Sequence, residues 1–396
     1  MKQFDVVFLH IGTEKTGSKA IQITCNRNRK SLARHGIAYP SGIWHAKLGS
    51  FFSTNPLQYV FNVHSGRTDL EIIKKEDAQY IQAFSHELSQ HNCSTLILSY
   101  EGYVGLDAPA IFELRKYLLD YTDTIRVLAY CRHPISFAPS EISQRLRMGS
   151  PAGLDDNDRL PIPRFRQYFE KFEKCFGAEN MVLKDFHRES LYRQDVVFDF
   201  LKEVGFPESH TQELEIASDP INPGLSAEAG LIAKEIANTY RGQGGTGNFF
   251  AKYNPILSGI KGTKIRLSPA ESKIIMAASE PHLAYLERNF GLKLTTPAYG
   301  DESPNHQFGE EFLKSIAVQI RQLVERTEYG SSTTEERSKE LIALLYQAIL
   351  RRKPDSGGSE TFVRRLNAGE PLTEIVRHFM ESAEFRNARL IPYDKT

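Results

Sequence analysis

Net charge is missing from this sequence. Lysine plus arginine and aspartate plus glutamate each number 49. A global basic field, the electrostatic mark of a dedicated nucleic-acid binder, is therefore excluded, and any anion site has to be a local cluster. Cysteine is scarce. Cys25, Cys93, Cys131 and Cys175 lie far apart, so no Cys-x-x-Cys pair is available for zinc or thiol redox chemistry. Cys93 and Cys131 sit beside or within apolar runs and read as buried free thiols of a reducing compartment. No uninterrupted run of about 18 apolar residues occurs, so no membrane span is expected. The apolar stretch Met1–Ile11 is too short for a secretory signal and leads into a charged loop. Cytoplasmic localisation is the resulting expectation. No His-x-x-x-His or aspartate cluster with ligand spacing appears, so no metal is expected.

What is present is apolar mass, 40 % of 396 residues, enough to bury a large core without cross-links. Phe4–Ile11 is a short run rich in β-branched and aromatic residues, the pattern of a strand buried on both faces. Thr95–Ser99, Ile125–Cys131 and Met181–Phe186 read the same way. Helical periodicity lies between them. Ser18–His35 carries Ile21, Cys25 and Leu32 on one side and meets Gly36 as a stop. Ile72–His91, Ala110–Tyr121 and Asp195–Val204 are further helices. Strands alternating with helices predict an α/β fold, a parallel sheet with helices on both faces. Ligands of such sheets bind beyond the carboxyl ends of strands.

Pro207–Leu225 and Gly242–Gly247 read as loops, and Ser268–Phe290 as a helix kinked or split at Pro281. Thr295–Gln307, with two prolines, marks a boundary. Phe308–Glu328 is helical, Tyr329–Glu335 is a linker, and Arg337–Asn387 is a small helical module. The expected division is 1–297, a helical linker 298–335, and an all-α module 336–396.

The first strand runs into His10-Ile-Gly12-Thr-Glu-Lys15-Thr16-Gly17-Ser18-Lys19-Ala20 and then a helix. Such a loop presents backbone N–H groups to which the helix dipole adds about half a positive charge. Glycines allow close approach of an anion, Ser18 can donate a hydroxyl, and Lys15 adds a full charge. This is a phosphate cradle in construction. Gly12 and Gly17 have Walker spacing, but Ser18 stands where the Walker lysine belongs and Lys19 where the magnesium-binding hydroxyl belongs. A P-loop kinase or NTPase is therefore the weaker reading.

Lys15-Thr16-Gly17-Ser18 resembles the 5′-phosphosulfate loop of the PAPS (3′-phosphoadenosine 5′-phosphosulfate) sulfotransferase family, which has a Lys-[Ser/Thr]-Gly-[Ser/Thr]-[Ser/Thr] core. Lys19 departs from the pattern, which usually has a second hydroxyl there. After Ile125–Cys131 come Arg132-His133-Pro134 and then Ser140, a spacing that resembles the family's 3′-phosphate motif. An arginine at a strand end can fork onto phosphate, and a serine on the following helix can donate to another oxygen. The resemblance spans roughly residues 1–297. It implies a P-loop-like sulfotransferase fold and metal-free in-line displacement from PAPS, leaving PAP, with Lys15, Thr16, Gly17, Ser18, Lys19, Ala20, Arg132 and Ser140 at the nucleotide. Lys261 and Lys264 fall where the family often has a basic loop closing over the 3′-phosphate, although a solvated charge run explains them as well.

Sulfuryl transfer needs a cation for the leaving phosphate oxygen and a base for the acceptor proton. Lys15 is the expected cation. Glu101, just past the strand Thr95–Ser99, is the expected base. Ser99-Tyr100-Glu101 also matches the Ser-x-Glu of the family's bacterial branch. His10, at the end of the first strand, is the rival base, and His45 and His64 stay open in the acceptor-side region. The acceptor is expected to be a carbohydrate or glycolipid hydroxyl, in a cleft lined by the loops around Trp44–His64 and Gly149–Arg164. A non-catalytic glycan-binding protein on the same fold is the remaining alternative.

Leu345-Tyr346-x-x-Ile349-Leu350-x-Arg352-x-Pro354-Asp355-x-x-Gly358 is similar to a bacterial domain of unknown function, a small helical unit often attached to glycan-modifying or surface-associated proteins. Its Pro-Asp-Ser-Gly-Gly turn should set two helices against each other, with Asp355 as an N-cap and not a metal ligand. By analogy the module binds a partner or the acceptor.

Overall fold

A computed structural model describes residues 2–150, 160–217, 224–241, 249–258, 260, 263–298, 334–350, 352–370 and 372–384. Two compact units divide the chain. The first is Met1–Phe137, Ile162–Asn222 and Ile275–Tyr299; the second is Ala138–Pro161, Pro223–Ile274 and Gly300–Thr396. This division does not follow the linear one expected at 297 and 336. Segments from the middle of the chain group with the C-terminal helices.

The first unit holds a five-stranded, all-parallel sheet in the order β2-β3-β1-β4-β5. The strands are β1 (Val6–His10), β2 (Ile37–Ala38), β3 (Thr95–Ser99), β4 (Ile125–Cys131) and β5 (Met181–Asp185). β1 is central, with Val6 opposite Thr95 of β3 and Val7 opposite Ile125 of β4. The α/β architecture read from the sequence is therefore present. β2 has two residues and carries no periodicity to read; β1 and β5 are shorter than their apolar runs.

The sheet is covered on both faces because each strand supplies apolar residues alternately to each side. Val7, Leu9, Leu96, Leu98, Val127 and Ala129 pack with the helices Leu70–Ser89, Ala108–Leu119, Phe165–Phe176 and Pro269–Phe290. Phe8, Ile97, Leu128 and Tyr130 pack with Ser18–Arg27, Arg29–Arg34 and Val196–Glu203 on the other face. Pro281 does not split its helix, which runs from Pro269 to Phe290 as one element.

The helix expected over Ser18–His35 is two helices. Asn28, between them, has φ −102° and ψ 19°. Its amide nitrogen donates to the carbonyls of Thr24 (2.8 Å) and Glu215 (3.0 Å), and its oxygen accepts from Glu215 N–H (2.9 Å). An asparagine that hydrogen-bonds backbone in this way competes with helix continuation. Ala217 N–H donates to Thr24 Oγ1 (3.0 Å), so the 214–217 segment is laid against the first helix. The region read as loop over Pro207–Leu225 contains a 3-10 turn, Glu208–Glu213.

In the second unit, Ser226 and Lys264 form an antiparallel bridge, and Leu225 N–H donates to Ser143 Oγ (2.8 Å). The C-terminal helices are Thr334–Leu350, Ser356–Asn367 and Leu372–Glu381. Asp355 caps the second of them, accepting from Gly358 N–H (2.7 Å), and pairs with Arg352 (2.9 Å). A Cβ at Gly358 would lie 2.3 Å from the Tyr346 hydroxyl, which gives the second glycine of the turn its reason. Tyr346, Phe362 and Phe379 form the aromatic centre between these helices. The sequence readings over Gly242–Gly247 and Phe308–Glu328 lie outside the described residues.

Phe200 is fully buried on the second sheet face, 5.3 Å from the His10 ring. Phe200→Ala is expected to cost about 3–5 kcal/mol. The check is a lower denaturation midpoint at unchanged slope.

Candidate functional site

Beyond the last residue of β1 the chain stays bonded to β4. Ile11 N–H donates to Leu128 O (2.9 Å) and Tyr130 N–H to Gly12 O (2.7 Å). Thr13 returns its N–H (3.2 Å) and its hydroxyl (3.0 Å) to Tyr130 O. The loop then turns through left-handed backbone at Lys15 (φ 62°) and Gly17 (φ 75°). A non-glycine residue there costs roughly 1–2 kcal/mol, so Lys15 needs support. Arg132, one residue past β4, supplies it by donating Nη1–H to the Lys15 carbonyl (3.0 Å). The same guanidinium donates Nε–H to Ser136 Oγ (3.3 Å) and lies 5.7 Å from the Phe186 ring centre. The two motifs that the sequence placed far apart thus meet.

Within the loop the hydroxyls of buried Thr16 (2.5 Å) and Ser18 (3.3 Å) both donate to the Thr13 carbonyl. Ala20 belongs to the core below, while Lys19 is exposed. Three other helices of this unit carry aspartate caps, Asp69, Asp107 and Asp195, whose carboxylates accept first-turn N–H groups. The helix that follows the loop begins at Gly17 and has no side-chain cap. Ala20 N–H turns back to Gly17 O (2.9 Å); the rest of the first turn has no side-chain cap, the condition under which a helix terminus binds anions.

Glu101 follows β3 by two residues and sits directly over the loop. A Cβ on Gly12 (φ 95°) would be 3.0 Å from Glu101 Cβ. Burial raises the Glu101 pKa, and the negative charge of Glu14 adds to that; Lys15, Lys19 and a hydrogen bond with Ser18 act in the opposite direction. One carboxylate therefore feels both lysines of the loop. Glu14 was not singled out by sequence reasoning. Its place inside the loop was the available signal.

The histidines separate clearly from Glu101. His10 is fully buried, with Nδ1 2.7 Å from Ser99 Oγ and its ring near Phe200, and burial pushes its pKa down to about 3. It is a neutral imidazole inside the core. His45 is also fully buried, and burial pushes its pKa down to about 4. Its backbone N–H donates to Ser99 O (3.1 Å), and its Nδ1 accepts from Ser99 N–H (3.0 Å). His45 thus fastens the Trp44–His64 region to the end of β3. His64 is exposed at the end of the helix Val60–His64.

Ser140 lies in the helix Pro134–Arg147, on the portion that groups with the second unit. Lys264 is exposed in the second unit. Lys261 lies outside the described residues, as does most of the Gly149–Arg164 loop. Among the described residues the side chains that come together are Lys15, Thr16, Ser18, Glu101 and Arg132, with Glu14 and Lys19 at the rim. The combination sets basic side chains and an uncapped helix start beside a carboxylate of raised proton affinity.

Residues 322–389 match the family model described as a domain of unknown function, DUF4214. The match covers the residues of the Leu-Tyr-x-x-Ile-Leu pattern and its turn. No curated protein matches the chain, and no solved structure does. No helix among the described residues is long and apolar enough to cross a membrane.

A methyl group at Gly17 would meet left-handed backbone and Val196 Cγ1 at 2.6 Å. Gly17→Ala is expected to cost about 1–3 kcal/mol, and chemical denaturation against wild type checks it.

Proposed function

We propose that the chain transfers the sulfuryl group of PAPS to a hydroxyl of an acceptor. The observation that carries this reading is the convergence of three strand ends. The β1 loop with Lys15, the β4 end with Arg132 and the β3 end with Glu101 are joined by the Arg132–Lys15 hydrogen bond and by the contact of Glu101 with Gly12. PAPS carries a 5′-phosphosulfate and a 3′-phosphate, so it needs two anion sites. Mg-NTP chemistry is disfavoured because Ser18 and Lys19 occupy the two Walker positions that such chemistry uses.

In this reading the loop backbone at Thr16, Gly17, Ser18, Lys19 and Ala20 receives the 5′-phosphosulfate, and Arg132 receives the 3′-phosphate. The acceptor oxygen forms a bond to sulfur while the bond from sulfur to the 5′-phosphate oxygen breaks. The acceptor proton passes to a Glu101 carboxylate oxygen, and Lys15 neutralises the charge that develops on the phosphate of PAP. Glu101 suits the base role because burial and Glu14 raise its proton affinity. His10 does not, because its depressed pKa makes it a weak proton acceptor.

The acceptor is assigned to the carbohydrate and glycolipid class. Trp44, the single tryptophan, is 44 % exposed beside the anchored His45, an arrangement suited to stacking a sugar ring. The C-terminal module is assigned a partner- or acceptor-binding role, and the cytoplasm is the assigned compartment.

The test is release of PAP from PAPS with a panel of simple saccharides as acceptors. Glu101→Gln should lower turnover about 10²–10⁴-fold while PAP binding is kept. Lys15→Ala should lower transfer more than PAP binding, and Arg132→Ala should weaken PAP binding. Turnover should fall as pH drops through a pKa above the ordinary 4.5, since protonated Glu101 accepts no proton. Undiminished turnover in Glu101→Gln would remove the assigned base.

A further inference from the structure

A second cluster lies at the opposite edge of the same sheet. The strands are parallel, so the loop after β1 marks their carboxyl edge. His35 lies just before β2, and Gly36 O accepts from Ser94 and Thr95 N–H at the start of β3, which puts it at the amino edge. There, His35 from the end of the helix Arg29–Arg34 meets His210 and Glu213 from the 3-10 turn Glu208–Glu213. One ligand atom from each of the three residues can be chosen so that all lie within 4.8 Å of one another.

We propose that His35, His210 and Glu213 form a binding site for a divalent cation of the zinc class. Two imidazoles and one carboxylate are a donor set suited to zinc and its neighbours, whereas magnesium and calcium take oxygen ligands. The spacing agrees. Ligand atoms about 2.0–2.1 Å from a tetrahedral zinc stand about 3.3 Å from one another. His210 Nδ1 is 2.6 Å from Glu213 Oε1, and His35 Nε2 is 3.7 Å from Glu213 Oε2. The second separation is too long for a hydrogen bond. Shifts of an ångström or less bring both into the range of two ligands on one ion. The imidazole rings are 4.4 Å apart.

The cluster is also held by contacts to groups outside it. The His35 ring packs edge-on against Phe206 at 5.1 Å, and its N–H donates to Leu32 O (3.0 Å). His210 N–H donates to Pro207 O (3.1 Å). Just beyond Glu213, the reciprocal Asn28–Glu215 bonds and the Ala217–Thr24 bond fix the strap to the helices. Donors fixed in advance in this way lower the ordering cost of binding an ion. Arg34, 3.8 Å from Glu213, is the competing cation, and its side chain is 69 % exposed, so it can turn outward. A bound ion would clip the 207–217 strap to the second helix. Its role is structural, separate from the expectation that transfer is metal-free. Sequence reading could not find this set, because His35 is remote in sequence from the His210-x-x-Glu213 pair.

The experiment is calorimetric titration of ZnCl₂ into the full chain after chelator treatment and exhaustive dialysis, with MgCl₂ as comparison. The proposal expects one saturable zinc site with a dissociation constant at or below about 10 µM, and none for magnesium. His210→Ala and the separate variant Glu213→Gln should each weaken it at least about tenfold, while His86→Ala, at an exposed site elsewhere, should not. Both cluster residues are solvent-accessible, so folding should survive, checked by matching unfolding curves in EDTA. Zinc should raise the melting temperature of wild type and not of His210→Ala. Absence of saturable zinc uptake below about 100 µM, or equal affinity in wild type and His210→Ala, overturns the proposal. Neither result bears on PAPS chemistry, which is read by PAP release.

Discussion

The loop after β1 keeps its shape because β4 holds it. Two and three residues past the strand, Gly12 and Thr13 still exchange hydrogen bonds with Tyr130, so the turn at Lys15 and Gly17 begins from a rigid base. From that base Arg132 reaches the Lys15 carbonyl and stabilises a left-handed lysine that would otherwise be strained. Glu101 can lie close over the loop because Gly12 has no Cβ. A side chain at Gly12, or a different residue at 132, would disturb all three strand ends together. The chemistry of the site is therefore a consequence of the sheet order, which sets β3 and β4 on either side of β1.

Environment separates groups that look equivalent in the chain. His10, His45 and Glu101 all lie at or near the ends of β1 and β3. His10 points into the core against Phe200, and His45 is consumed in fastening its segment to Ser99. Burial lowers the proton affinity of both imidazoles and raises that of the carboxylate. The same desolvation thus makes the histidines poorer bases and the glutamate a better one.

Much of this was legible in the sequence, for physical reasons. β3 and β4 carry dense apolar runs, and their bounds were read as Thr95–Ser99 and Ile125–Cys131. The tight turn from β1 into the first helix was readable because glycine spacing reflects backbone sterics. β2 was not, since two residues have no period. The break at Asn28 depends on Glu215, a partner far along the chain, and local periodicity cannot register that. The grouping of Ala138–Pro161 and Pro223–Ile274 with the C-terminal helices is likewise a tertiary fact. So is the meeting of His35 with His210 and Glu213.

The central claim is that the loop and Arg132 serve a nucleotide with a 3′-phosphate and not a magnesium nucleotide. Calorimetric binding of PAP, compared with ADP and Mg-ATP, tests it most directly. Micromolar PAP binding, at least about tenfold tighter than ADP and unchanged by EDTA, is the predicted result. Equal binding of PAP and ADP together with magnesium-dependent binding of ATP would contradict it and return the site to the P-loop kinases.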